Sequence, residues 1–238
     1  MMTAPTPATS VTEAIKARYS VRAFRPDPVP DEVIHEIFDI ARLVPSNSNT
    51  QPWHVAVVSG PARDALERRI FAEIEAKNLP SPTWPSGGVG LTGDYKQRQI
   101  DCAKGYYSEM GIEYEDRKAR RELLLNNWRF FGAPHAAFFS MPETMHRANA
   151  VDMGIFLQSI MLLMVEHGIS SCAQGALAAY PGPVHEIADI PEGNALLCGL
   201  SFGYEDTDAP ANNVRMDREP LDRVASFTSE VDARSEQS

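Results

Sequence analysis

Cysteine is scarce in this chain: Cys102, Cys172 and Cys198 are odd in number, far apart and in no metal-ligand spacing. That excludes a disulfide framework and suits a reducing compartment, so a cytoplasmic address is expected. Positive charge is short as well. Twenty-two Lys and Arg against thirty-two Asp and Glu leave a formal net charge of −10, which repels phosphate backbones and anionic lipid and makes nucleic acid and membranes poor partners. Long apolar runs are missing too. The longest candidate, RANAVDMGIFLQSIMLLMVEHGIS, is interrupted by Asp152, Gln158 and Glu166 and reads as a buried helix of a globular domain. The opening MMTAPTPATS has neither the basic start nor the apolar stretch of a signal peptide, so residues 1–10 read as a mobile tail.

Several chemical signatures are absent. The six histidines fall in no metal-binding pattern, so no metal is expected, and the chain offers neither a triphosphate-binding P-loop nor a nucleophile elbow for acyl transfer. Gly88-x-Gly90-x-x-Gly93 has the spacing of a dinucleotide fingerprint, but Pro80, Pro82 and Pro85 exclude the strand that must precede it. It reads as part of a long flexible loop, residues 79–93.

What is present is a core. With 43% hydrophobic and 23% charged residues in 238, the chain has an ordinary globular composition and predicts one domain over 11–228, followed by a frayed tail, 229–238. Ser10 and Glu13 fit a capping box ahead of a helix VTEAIKAR. Val33, Ile34, Ile37, Ile40, Ala41 and Val44 recur at helical spacing before Pro45. WHVAVVSG, HAAFFSM and ALLCGLSFGY read as strands, ARDALERRIFAEIEAK as a helix, and 94–111, 113–134 and 148–167 as three more. SSCAQGAL reads as a loop and residues 184–188 as a short helix. The pattern is helix-rich α+β with few strands.

Three polar segments stand out. RYSVRAF places Arg18, Ser20 and Arg22 within five positions, as surface polars or as a cluster around an anion. PSNSNTQPW, between an amphipathic helix and a buried strand, reads as a capped turn or as a donor and acceptor edge for a heteroaromatic ring. Arg117, Arg120 and Arg121, among Glu113, Glu115, Asp116 and Glu122, read as a solvated face with ion pairs.

ARYSVRAFRPDPVP, then ARLVPSNSNTQPWHVAVV, then CGLSFGYEDTDAPANNVRMDREPLDRV together resemble the nitroreductase family of FMN-dependent flavoproteins over nearly the whole chain. The resemblance implies an α+β fold with a central mixed or antiparallel-containing sheet flanked by helices, in an intertwined homodimer with FMN at the subunit interface. It further implies an NAD(P)H oxidoreductase passing hydride through flavin N5, ping-pong, to nitroaromatic or quinone acceptors, with NADH or NADPH as donor and no protein nucleophile.

Residue by residue, the resemblance assigns Arg18 and Ser20 to the FMN phosphate, Arg22 to the flavin N1 and C2 carbonyl, and Tyr19 to an auxiliary contact. Pro45, Ser46, Ser48 and Asn49 line the flavin bound to the other subunit. Cys172, Ala173, Gln174 and Gly175 cover the flavin near its reactive edge, and Arg218, with Arg215 as a second, reaches the phosphate from the C-terminus. Trp84, Tyr95, Tyr106 and Tyr107 lie in a stretch expected to cover the acceptor or simply to pack on a helix. A reductive dehalogenase resembling iodotyrosine deiodinase, and a non-catalytic FMN-binding or sensing protein, are the alternatives.

Overall fold

The computed structural model describes residues 7–85 and 87–229; the expected N-terminal tail, apart from residues 7–10, and the expected C-terminal tail, apart from Ser229, lie outside them. The first helix, α1 (Val11–Ala17), opens on Ser10, whose hydroxyl accepts the Glu13 N–H at 3.2 Å. Glu13 returns its carboxylate to Thr9 rather than to Ser10, accepting from the Thr9 N–H at 2.9 Å. α2 (Asp31–Ala41) turns Ile34, Ile37 and Ala41 inward. Next come β1 (His54–Ser59), α3 (Gly60–Glu75) and α4 (Gly93–Glu109). α5 (Arg117–Leu125) precedes β2 (His135–Pro142), and α6 (Arg147–Glu166) precedes β3 (Ser170–Gln174). α7 (Pro181–Ile187), β4 (Asn194–Gly203) and α8 (Leu221–Val224) complete the order.

The sheet runs β1-β2-β4-β3, antiparallel throughout. β2 and β4 occupy its centre, which explains why HAAFFSM is apolar at nearly every position: a central strand is covered on both faces. Ala136 and Phe138 join one hydrophobic cluster with Leu66 and Ile70 of α3 and Val184 of α7. Ala137, Phe139 and Met141 join a second with Ile37 of α2 and Met153, Phe156, Ile160 and Met164 of α6. Alternate side chains of one strand thus feed two cores. Phe130, Phe138, Phe139 and Phe202 are fully buried, each contributing about 1.5–3 kcal/mol of apolar burial.

Two expectations are corrected. The segment SSCAQGAL is the edge strand β3 followed by a 3₁₀ turn, Gly175–Ala178, because Ser171, Cys172 and Gln174 find burial against β4 that no local pattern announces. The helix expected over 113–134 shrinks to α5: Asp116 captures the Lys118 and Ala119 N–H groups at 3.1 and 2.9 Å, and Phe130 and Phe131, both at φ 55, turn the chain after it. As expected of a buried helix, α6 turns Met153, Phe156, Ile160 and Met164 into the core of the single chain. α6 is long and apolar enough to cross a membrane by length and composition, with mean hydropathy 1.6, and here it packs along the sheet. Its exposed apolar side chains are Val151 and Ile155.

Candidate functional site

The site begins where α1 stops. Arg18 leaves the helix in extended conformation while its N–H still closes on the Ala14 carbonyl at 3.0 Å. The chain then runs along the free edge of β3, forming a parallel bridge between Ser20 and Ser171 and donating the Val21 N–H to the Ser171 carbonyl at 3.2 Å. An antiparallel bridge joins Phe24 to Glu205. Val21 and Phe24 are buried while Arg18, Ser20 and Arg22 stay half-exposed.

The C-terminal segment closes the other side. Arg18, Tyr19, Ser20, Arg22, Arg215 and Arg218 line one cavity of about 680 Å³, with Cys102 of α4 and Gln158 of α6 in its wall. Two stretches almost two hundred residues apart are held together by Asn212, which is 1% exposed. Its Oδ1 accepts the Arg22 N–H at 2.7 Å, and its Nδ2 donates to the Ala23 and Asp206 carbonyls at 2.8 and 2.9 Å. The Asn212 carbonyl in turn accepts from Arg215 Nη1 at 2.7 Å. Sequence reasoning missed Asn212, because an Asn in a turn-rich segment looks the same whether its amide is solvated or buried.

Among the described residues, none of Arg18, Arg22, Arg215 and Arg218 is paired with a carboxylate. Arg215 and Arg218 spend one nitrogen each on nearby main-chain carbonyls, and Arg22 lies 5.0 Å over the Tyr106 ring with a long contact to the Ser20 carbonyl. In a chain carrying −10, four guanidiniums converging on one hollow with a hydroxyl, and none neutralised, fit a bound phosphate dianion.

A larger cavity, about 890 Å³, lies beyond Arg22 between α3 and the 206–211 turn. Its other cations are already committed. Arg63 pairs with Glu67 at 2.7 Å and donates to the Ala133 and Arg129 carbonyls, and Arg129 donates to Asn126 while lying over Phe71. Size alone therefore selects the wrong hollow.

Ala173 of β3 and Gly175 of the 3₁₀ turn that follows are exposed. Gln174 turns inward, donating to the Asn127 carbonyl at 3.0 Å and accepting from Ser201 at 2.5 Å, so only main chain is offered at that position. Cys172 is 3% exposed; burial pushes its thiol up, with Arg22, Ser20 and Arg18 pulling the other way. It is a packing residue. Contrary to the expectation from sequence, Gly199-Leu200-Ser201-Phe202-Gly203 does have the letter pattern of a nucleophile elbow, but it lies inside β4 with Ser201 fully buried, where a strand-to-helix elbow cannot form.

Pro45, Ser46, Ser48 and Asn49 take no part in the cavity of the same chain. They form an exposed turn after α2 in which Ser48, Asn49 and Gln51 all hold φ near +50, at 51, 56 and 47, a run of left-handed non-glycine residues that costs energy and marks a constrained surface. The turn is fastened to α6 by Asp152, 5% exposed, which accepts the Asn47 N–H at 3.1 Å.

The aromatic candidates divide. Tyr106 reaches Arg22. Tyr107 turns toward Tyr114 and Arg120, Trp84 packs on the α2–α6 cluster, and Tyr95 is 68% exposed beneath the Arg98 guanidinium. α4 also grips the C-terminal segment through Arg98–Glu219 and Asp94–Arg223, both 2.9 Å.

The fold matches known proteins over most of the chain. Residues 15–204 match the model of the nitroreductase family, and the chain belongs to that family. It is 39% identical to nitroreductase NfnB of Mycolicibacterium smegmatis over 90% of this chain and 91% of that one. It is 34% identical to a 4-nitrobenzoate reductase of Pseudomonas putida, covering 86% and 89%. The crystal structure of FMN-dependent NfnB from Mycobacterium smegmatis in complex with NADPH superposes with a TM-score of 0.87 at 38% identity, covering 92% and 97%.

Proposed function

We propose that this chain is an FMN-dependent NAD(P)H oxidoreductase reducing nitroaromatic acceptors, working as a homodimer built from a single domain over residues 11–228. The observation that carries the reading is the set of four arginines around Ser20, free of carboxylate partners among the described residues, lining one cavity. Bound FMN would supply two-electron transfer between the nicotinamide and the acceptor. Arg18, Ser20, Arg215 and Arg218 would hold its phosphate, and Arg22 would place a fixed positive charge beside the pyrimidine edge of the ring. The inward turn of Gln174 leaves main-chain groups to meet the flavin. Tyr106, beside Arg22, is the aromatic residue best placed to border the acceptor.

A second copy supplies what one chain lacks. The constrained turn with Pro45, Ser46, Ser48 and Asn49 is exposed, as are Val151 and Ile155 on α6 and Leu221, Val224 and Phe227 at the C-terminal end. A two-fold dimer would bury such faces twice and bring each turn to its partner's flavin. Three free cysteines fit a reducing, cytoplasmic setting. The relatives named for nitro reduction favour this reading over dehalogenation or passive flavin binding.

The test is an anaerobic absorbance titration of the FMN-loaded protein with NADH, then NADPH, then 4-nitrobenzoate. Bleaching of the visible flavin band followed by recovery on adding the nitroarene is expected; a band that neither nicotinamide bleaches would overturn the oxidoreductase reading.

A further inference from the structure

At the rim of the arginine cavity an aromatic residue stands between a buried acid and a cation. Glu205 is 7% exposed, directly after β4, and its carboxylate accepts the Tyr19 hydroxyl. The other side of the same ring carries the Arg215 guanidinium, whose carbon lies 3.5 Å from the ring centroid. Arg215 is fixed at one nitrogen by the Asn212 and Val214 carbonyls, at 2.7 and 3.0 Å, and its guanidinium also interacts with the Tyr19 hydroxyl. Glu205 and Arg215 feel one another electrostatically, yet they form no ion pair.

Elementary electrostatics make this arrangement unstable without the tyrosine. A carboxylate withdrawn from water gains most from a guanidinium within reach, and a flexible arginine nearby would swing onto it. Tyr19 removes both incentives: its hydroxyl satisfies the acid, and its face holds the cation by cation–π attraction. Burial and the Glu205 carboxylate push the phenol up to about 12, so it remains a hydroxyl donor through the neutral range.

We propose that Tyr19 is a positioning residue for Arg215, a spacer that keeps Glu205 from capturing the guanidinium and so reserves Arg215 for the phosphate of the bound flavin. This rests on the functional reading above and deepens it: selectivity for a phosphorylated flavin over an unphosphorylated one would depend on a residue that need not touch the phosphate. A spacer role and a packing role separate in ligand discrimination. A packing residue affects both flavins alike; a spacer affects only the ligand that carries phosphate.

The experiment titrates the full-length protein with FMN and with riboflavin, following flavin fluorescence, for the wild type, Tyr19→Phe, Glu205→Gln and the double variant. Tyr19→Phe is expected to weaken FMN about ten-fold, the order of one charge-assisted contact, with riboflavin unchanged. Adding Glu205→Gln should restore FMN to within about two-fold of wild type, because the competing charge is gone while Arg215 still has the ring. The double variant buries no unpartnered carboxylate, so it still tests the reading if Tyr19→Phe does not fold: a selective loss of FMN in it, with riboflavin unchanged, would overturn the spacer role. Equal losses for both flavins, an unchanged ratio in Tyr19→Phe, or no recovery in the double variant would overturn it. A wild type that takes up neither flavin overturns the proposed function as well, whereas one that prefers FMN while the variants show no selective loss overturns this inference alone.

Discussion

The arginines of α3 and those of the cavity have the same chemistry and opposite employment. Arg69 is held by Glu73 and, through two nitrogens, by Glu186, while Arg63 is held by Asp64, Glu67 and two main-chain carbonyls. Arg18, Arg22, Arg215 and Arg218 have no acid at all among the described residues. Where a guanidinium is neutralised within the chain it fastens α3 to α7 or to the turn before β2. Where acids are kept away from several at once, in a strongly acidic protein, the charge is reserved for something from outside.

That contrast can be broken by experiment. The largest effect should come from Arg18→Ala, which removes a cation proposed to hold the phosphate: FMN affinity should fall by about ten- to hundred-fold, the range for one charged hydrogen-bonding partner. Fluorescence titration checks this, and unchanged affinity would show that the phosphate lies elsewhere. Next is the frame beneath the site. A Cβ on Gly203 would stand 2.7 Å from the Pro134 ring, near Phe24, so Gly203→Ala should cost about 1–3 kcal/mol by overpacking; a urea midpoint equal to wild type would contradict it.

A smaller effect concerns His135, under the larger cavity. Its Nε2 accepts the Val29 N–H at 2.9 Å, which fixes the proton on Nδ1 facing Ser59 at 2.6 Å, and burial lowers its pKa below the ordinary value of about 6.5. The unfolded chain therefore takes up the proton first. Stability from this group is complete above that ordinary value and is lost as pH falls through the lowered one. Urea midpoints between neutral and acidic pH should drop, and His135→Gln, which keeps an acceptor for Val29, should show a shallower decline. The smallest effect belongs to the opposite half of the comparison: Arg69→Ala should leave flavin binding untouched and lower the urea midpoint only slightly, since exposed ion pairs contribute little to stability. A loss of FMN in that variant would erase the distinction between the two sets.

Much of the fold was legible because its cause is local. Period-two burial in β1, the doubly covered run of β2 and the helical spacing of α2 are written in residues that neighbour one another. β3 was not legible as a strand: SSCAQ has little local strand character, and its pairing is decided by β4, more than twenty residues downstream. The site divides in the same way. Arg18, Ser20 and Arg22 announced themselves by spacing, and Arg215 and Arg218 joined them through resemblance, but nothing local separates Tyr106, beside Arg22, from Tyr107, turned to Tyr114 and Arg120.

By itself the sequence determined composition, charge, the burial pattern of most elements and the kinds of side chain available to hold an anion. Only the tertiary structure decided which of twenty-two basic residues remain without acidic partners, that Asn212 ties the first arginine stretch to the last, and that Tyr19 stands between Glu205 and Arg215. The reason is range: periodicity acts over a few residues, whereas pairing between charges depends on distances that exist only once segments 190 residues apart have met.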